Sequence, residues 1–163
     1  MNDETPNTTT ENAPEAQAAA FVQSLPPAGS LPLALGTGLV AALIGAVIWA
    51  AITVAIEYQI GWMAVGVGCL VGFTVRWFGK GTTSLYGYIG GGLALLGCVL
   101  GNAFSILGFV CKQADIGLFK VFEIVDLPVL AGAMRESFSP MDLLFYGIAI
   151  YEGYKFSVVA RSS

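Results

Sequence analysis

Residues 33–56 read LALGTGLVAALIGAVIWAAITVAI, and the fold follows from where this run is placed. It carries no charge, and 24 residues at about 1.5 Å each make a helix of roughly 36 Å, enough to cross a hydrocarbon core of about 30 Å with some tilt. The rest of the chain agrees with a bilayer as its solvent. Of 163 residues, 56% are hydrophobic and 11% charged, with a mean hydropathy of +0.75. A soluble domain carries roughly 25% charged residues, enough to coat its surface. Here 7 Lys+Arg and 11 Asp+Glu must suffice, and four of the acids lie in the first 15 residues. An ordinary soluble enzyme is excluded, and a net charge of −4 excludes a nucleic-acid binder.

Upstream of the run, residues 1–30 are rich in Asn, Thr, Pro and Glu and hold no Lys or Arg. Such a segment has too little apolar surface to offset its ordering entropy, so a disordered acidic tail is expected. It lacks the basic start of a secretory signal. Asn7-Thr8-Thr9 matches a glycosylation sequon, a match that chance supplies readily in such a tail.

Downstream, Glu57-Tyr58-Gln59 interrupts the apolar pattern, and a second span is expected over 60–78, with Arg76 snorkelling and Trp77 and Phe78 at the interface. A third is expected over 85–111, where Asn102 and Ser105 are the strongly polar members and candidates for interhelical hydrogen bonds. Residues 113–127 are too charged to span. Their wheel separates Asp115, Lys120, Glu123 and Asp126, joined by Lys112, from Leu118, Val121, Phe122, Ile124 and Val125. That pattern predicts an amphipathic helix in the interface, stopped near Pro128. A fourth span is expected over 143–160. The fold class is therefore all-α integral membrane, with about four spans, an interfacial helix and residues 31–163 as one helical domain.

The fourth span contains Glu152 and Lys155. A charge at a helix centre costs about 2.5–3.5 kcal/mol on the insertion scale, so both are expected to face protein. Spaced i, i+3, they share a face and form a candidate intramembrane ion pair. Ionisable groups at membrane depth are functional candidates by default, and this pair could fix a helix or line a polar path. Glu57 and Asp142 read as boundary charges.

Glycine supplies the other pattern. Gly68 with Gly72, Gly87 with Gly91, and Gly97 with Gly101 are GxxxG pairs, which let helix backbones approach closely in lipid. They suit either one compact bundle or a homo-oligomeric interface. They do not make a nucleotide site: Lys80 is followed by Gly81, where a phosphate loop needs Ser or Thr, and GYIGGGL (87–93) lacks the dinucleotide spacing. Cys69, Cys98 and Cys111 form no CxxC pair, and the chain has no His, so no metal ligand set or nucleophile–base pair is legible. No cofactor is expected.

Ile48-Trp49, Glu57-Tyr58-Gln59-Ile60-Gly61-Trp62-Met63-Ala64-Val65-Gly66-Val67-Gly68, Leu70-Val71-Gly72, Val75-Arg76 and the closing Leu144 to Phe156 run, LFYGIAIYEGYKF, resemble a group of small uncharacterised bacterial multi-pass membrane proteins. Some of that group carry an N-terminal zinc ribbon, which is absent here because residues 1–68 hold no Cys. The resemblance covers residues 40–160 and implies the bacterial inner membrane, with no activity attached. Arg76 and Lys80 in one short turn, with Lys155 and Arg161 near the C-terminus, favour cytoplasmic placement of both termini over the end bearing Lys112, Lys120 and Arg135. The expected function is a non-enzymatic assembly or interaction module. Its partners would be the lipid bilayer and a second copy or another membrane protein. The alternative is a small channel or transporter with Glu152 and Lys155 on its path.

Overall fold

A computed structural model describes residues 29–158; the first 28 residues of the acidic tail, its sequon and Arg161 lie outside the described residues. Within them the chain forms six helices and no strand: α1 (Leu31–Ile56), α2 (Trp62–Gly79), α3 (Ser84–Ala114), α4 (Leu118–Ile124), α5 (Leu127–Ser137) and α6 (Pro140–Ser157). Three of them, α1, α2 and α3, are long and apolar enough to cross a membrane.

Local chemistry sets the helix ends. Pro32, Pro128 and Pro140 all sit in the first two positions of a helix. There the missing N–H costs nothing and the fixed φ suits the helix. Glu57, Lys80 and Asp115 end α1, α2 and α3 in the left-handed region, at φ 58°, 50° and 51°.

Two boundaries differ from the sequence expectation. The amphipathic helix expected over 113–127 is not one element. α3 runs on to Ala114, Asp115 turns left-handed, and α4 and α5 follow as separate short helices. Pro128, expected to stop a helix, is instead the second residue of α5, because Asp126 before it is extended (φ −68°, ψ 152°). The last helix starts at Pro140 rather than 143, since Ser139 and Asp142 form a capping box: Asp142 Oδ2 accepts from the Ser139 amide at 2.8 Å.

The four long helices pack as a bundle in which α2 and α3 each touch all the others, while α1 and α6 lie on opposite sides and do not meet. Facing pairs give the directions. On α1 and α3, Gly38 faces Leu93, Gly97 faces Ala42, and Glu57 bonds Lys112, each pair 55 residues apart, so these helices run parallel. Gly68 against Ala149 and Phe73 stacked on Phe156 make α2 and α6 parallel as well. The core between them is built largely of small groups, including Ala34, Ala42, Ala64, Ala94 and Ala149, with Trp49, Tyr86 and Tyr146 as its large members.

The outside reverses the soluble pattern. Leu39, Val40, Leu43, Ile44, Val47 and Ile48 of α1 are exposed, with Val47 57% open. Small residues inside and large aliphatics outside suit a solvent as apolar as leucine. α4 and α5 pack against α3 alone; α5 buries no residue and α4 buries Val121.

A Cβ on Gly68 would lie 2.6 Å from the Ala149 carbonyl oxygen, whereas one on Gly66 or Gly92 meets nothing within 4 Å. Gly68→Val should therefore destabilise by about 1–3 kcal/mol through overpacking against backbone. Gly66→Ala should be neutral or stabilising by up to about 1 kcal/mol, the helix-propensity difference. Thermal unfolding in detergent micelles separates the two.

Candidate functional site

The chemistry-bearing side chains gather in two places, one inside the bundle and one at its end. Inside, Asn102 of α3 is 1% exposed. Its Nδ2 donates to the Tyr146 hydroxyl of α6 at 3.3 Å, and that hydroxyl donates to the Cys98 carbonyl at 3.4 Å. Gln59, from the α1–α2 turn, donates to Asn102 Oδ1 at 3.5 Å. One amide thus ties α3 to α6 and to the turn. Ser105 bonds back to its own helix, at the Gly101 carbonyl, rather than across. On α1, Trp49 Nε1 and Thr53 Oγ1 are buried without a protein partner among the described residues.

At the end of the bundle, the Lys112 ammonium donates to Glu57 Oε1 at 2.6 Å and to the Val54 carbonyl at 3.4 Å. The pair is exposed and joins the C-terminal turns of α1 and α3. The hydrogen bond from Lys112, and then its charge, hold the Glu57 carboxyl below its ordinary value of 4.5. The pair follows from the parallel register of α1 and α3, which a sequence read helix by helix does not reveal. The available signal is that each residue directly ends a long uncharged run.

Glu152 and Lys155 do not close a salt bridge; among the described residues Lys112–Glu57 is the one that forms. Glu152 is half-buried and Lys155 exposed, with its ammonium 5.4 Å from the centroid of the Tyr151 ring. Because α6 ends at Ser157, they stand five and two residues from its end rather than at its middle. The Glu152 carbonyl lies against Gly72, one turn before Arg76.

The glycine pairs all face neighbours in the same chain. Gly68 and Gly72 receive α6 at Ala149 and Phe156, Gly87 and Gly91 receive it at Tyr154 and Ile150, Gly97 faces Val67 and Ala42, and Gly101 faces the Trp49 ring. Cys98 is buried, Cys69 and Cys111 are half-buried, and all three are free. Among the described residues no group of His, Cys, Asp and Glu could hold a metal ion. What the arrangement does chemically is hydrogen-bond helices together and present one ion pair at a helix end.

Comparison with protein-family models, with curated proteins and with solved structures gave no match.

Tyr146→Phe removes the hydroxyl that links Asn102 to the Cys98 carbonyl. It should cost about 0.6 kcal/mol and at most about 1.7, the average and the maximum found for hydrogen bonds between membrane helices; denaturation in mixed micelles measures it. For Glu57 the sign is fixed by its lowered folded-state pKa. Its contribution is present above 4.5 and is lost as pH falls through the depressed folded value. The melting-temperature gap between the wild type and Glu57→Gln should accordingly be open at neutral pH and close on acidification.

Proposed function

We propose that the chain is a multi-pass protein of the bacterial inner membrane, with both termini in the cytoplasm. It acts there as a non-enzymatic assembly or interaction module. Membrane insertion is supported by the three apolar helices and by the reversed distribution of large and small side chains. As a fourth span, α6 is supported by its packing on α2 and α3 from Tyr146 to its end, with Tyr146, Ala149, Gly153 and Ser157 buried. Lys155, two residues from its end, reaches the headgroups on its long stem, and Glu152 stands one turn further in. Orientation rests on Arg76 and Lys80 flanking the short α2–α3 turn, with Lys155 at the same end.

The observation that carries the assembly reading is the cap formed by α4 and α5. It is held by α3 alone and leaves Phe119 95%, Leu127 79% and Val129 60% exposed. The glycine pairs, by contrast, are engaged inside the bundle, so association with a second copy or another membrane protein falls to the cap. The polar-path alternative finds no support in Glu152 and Lys155 at the end of α6.

A photocrosslinking residue at position 119 or 127 should give an adduct with a second copy or another membrane protein in intact membranes, and one at Gly66 should not. Phe119→Asp should abolish the adduct formed from position 127 while leaving the melting temperature unchanged. A chain that gives no adduct and runs as a strict monomer by native mass spectrometry would overturn the reading.

A further inference from the structure

Between the last three turns of α1 and α3 runs an outward-facing groove of about 630 Å³, within the ~300–1,000 Å³ usual for ligand sites. Its walls are Val47, Ala51 and Val54 on one side and Phe104, Gly108 and Cys111 on the other. The α1 wall alternates Val47 and Val54 with the small Ala50, Ala51 and Ala55, which opens a channel about 10–12 Å long at 1.5 Å per residue. Lys112 stands at its upper end, and its ammonium is held by Glu57 Oε1 and by the carbonyl of Val54, itself a wall residue. An apolar trough therefore ends at one cation and one anion, both exposed and at the height where the uncharged runs stop.

We infer that this groove is a phospholipid site selective for a phosphoethanolamine headgroup, with an acyl chain along the α1–α3 trough, the phosphate on Lys112 and the primary ammonium on Glu57. Charge complementarity selects the occupant. An anionic headgroup such as phosphoglycerol finds the Lys112 charge already balanced by Glu57 and gains little. A zwitterionic one exchanges the protein ion pair for two new pairs of opposite sign, with no net charge stranded. Between zwitterions, a carboxylate accepts hydrogen bonds from a primary ammonium, and a quaternary choline has none to give; charge-assisted hydrogen bonds are the stronger class. The inference rests on membrane insertion of α1 and α3 and is independent of the assembly role of the cap.

The test is native mass spectrometry of the full chain from nanodiscs of equimolar phosphatidylethanolamine, phosphatidylcholine and phosphatidylglycerol. The wild type should retain phosphatidylethanolamine about tenfold over either competitor, the factor that corresponds to roughly 1.4 kcal/mol. Glu57→Gln should erase the preference over phosphatidylcholine, and Lys112→Met should lower retention of the two zwitterionic lipids. Ala51→Leu, at an exposed wall position, should fill the trough and reduce retention without changing the melting temperature. Equal retention of the three lipids by the wild type, or an unchanged preference in Glu57→Gln, would sink the site. A chain that fails to float with vesicles would sink the membrane reading first, so the two failures are told apart.

Discussion

Everything in this molecule depends on how closely α2, α3 and α6 approach one another. Helices in lipid gain nothing from hiding leucine, so they associate where backbones can touch. One such contact is between Gly90 and Gly153: a Cβ on Gly153 would lie 2.7 Å from the Gly90 carbonyl oxygen. One turn further on α3, Ala94 closes the same seam, and on the α2 side Gly68 and Gly72 receive Ala149 and Phe156. Side chains of any size at these positions would separate the helices and forfeit the dispersion contacts of the whole seam. α6 is the beneficiary. Its own sequence is the least apolar of the four long helices, and it is held by fit to α2 and α3 rather than by hydropathy.

The same close packing fixes a register, and the register creates the ion pair. α1 and α3 run parallel, and the offset of 55 residues seen at Gly38–Leu93 persists to Glu57–Lys112. α2 is only 18 residues long against 26 in α1. The turn Glu57–Gly61 therefore descends beside the bundle, carrying Gln59 down to Asn102 and Gly61 onto Phe145. The length mismatch leaves the upper parts of α1 and α3 facing each other without α2 between them. That is where the apolar groove opens.

Much of this was legible in residues alone. The uncharged runs located α1, α2 and α3 to within three residues at each end, because absence of charge over that length has one physical solution in a bilayer. The segment after α3 was not legible. Its wheel separates charged from apolar residues, but an amphipathic pattern does not say whether the helix is continuous, and Asp115 in the left-handed region divides it. Pro128 shows the same ambiguity, since proline ends one helix or begins the next according to where the backbone before it turns extended, here at Val125 and Asp126. For the polar site, Asn102 stood out as a polar group in an apolar run. Gln59 and Tyr146, its partners, are 43 and 44 residues away and carry no signal of their own. Glu152 and Lys155 are central to a span of 143–160 but not to α6, which begins three residues earlier. The Ser139-Asp142 capping box moves the helix up the chain, and the two charges move to its end.

That shift changes the energetic question the pair poses. A charge at the centre of a span needs a partner because no long stem reaches water from there, whereas one near the end can turn outward. Lys155 does so and lies near the face of Tyr151, an aromatic that shares its helix surface. Glu152 is half-buried beside α2, with its backbone carbonyl against Gly72. The hydrogen bonds inside the bundle are made elsewhere by neutral groups, Asn102 with Gln59 and Tyr146. These three, and the unpartnered Trp49 and Thr53, lie toward the end where α1 and α3 outrun α2. The opposite end is closed by Gly79, Ala34 and Tyr86. The end where α1 and α3 outrun α2 thus carries the groove, the ion pair and the cap together.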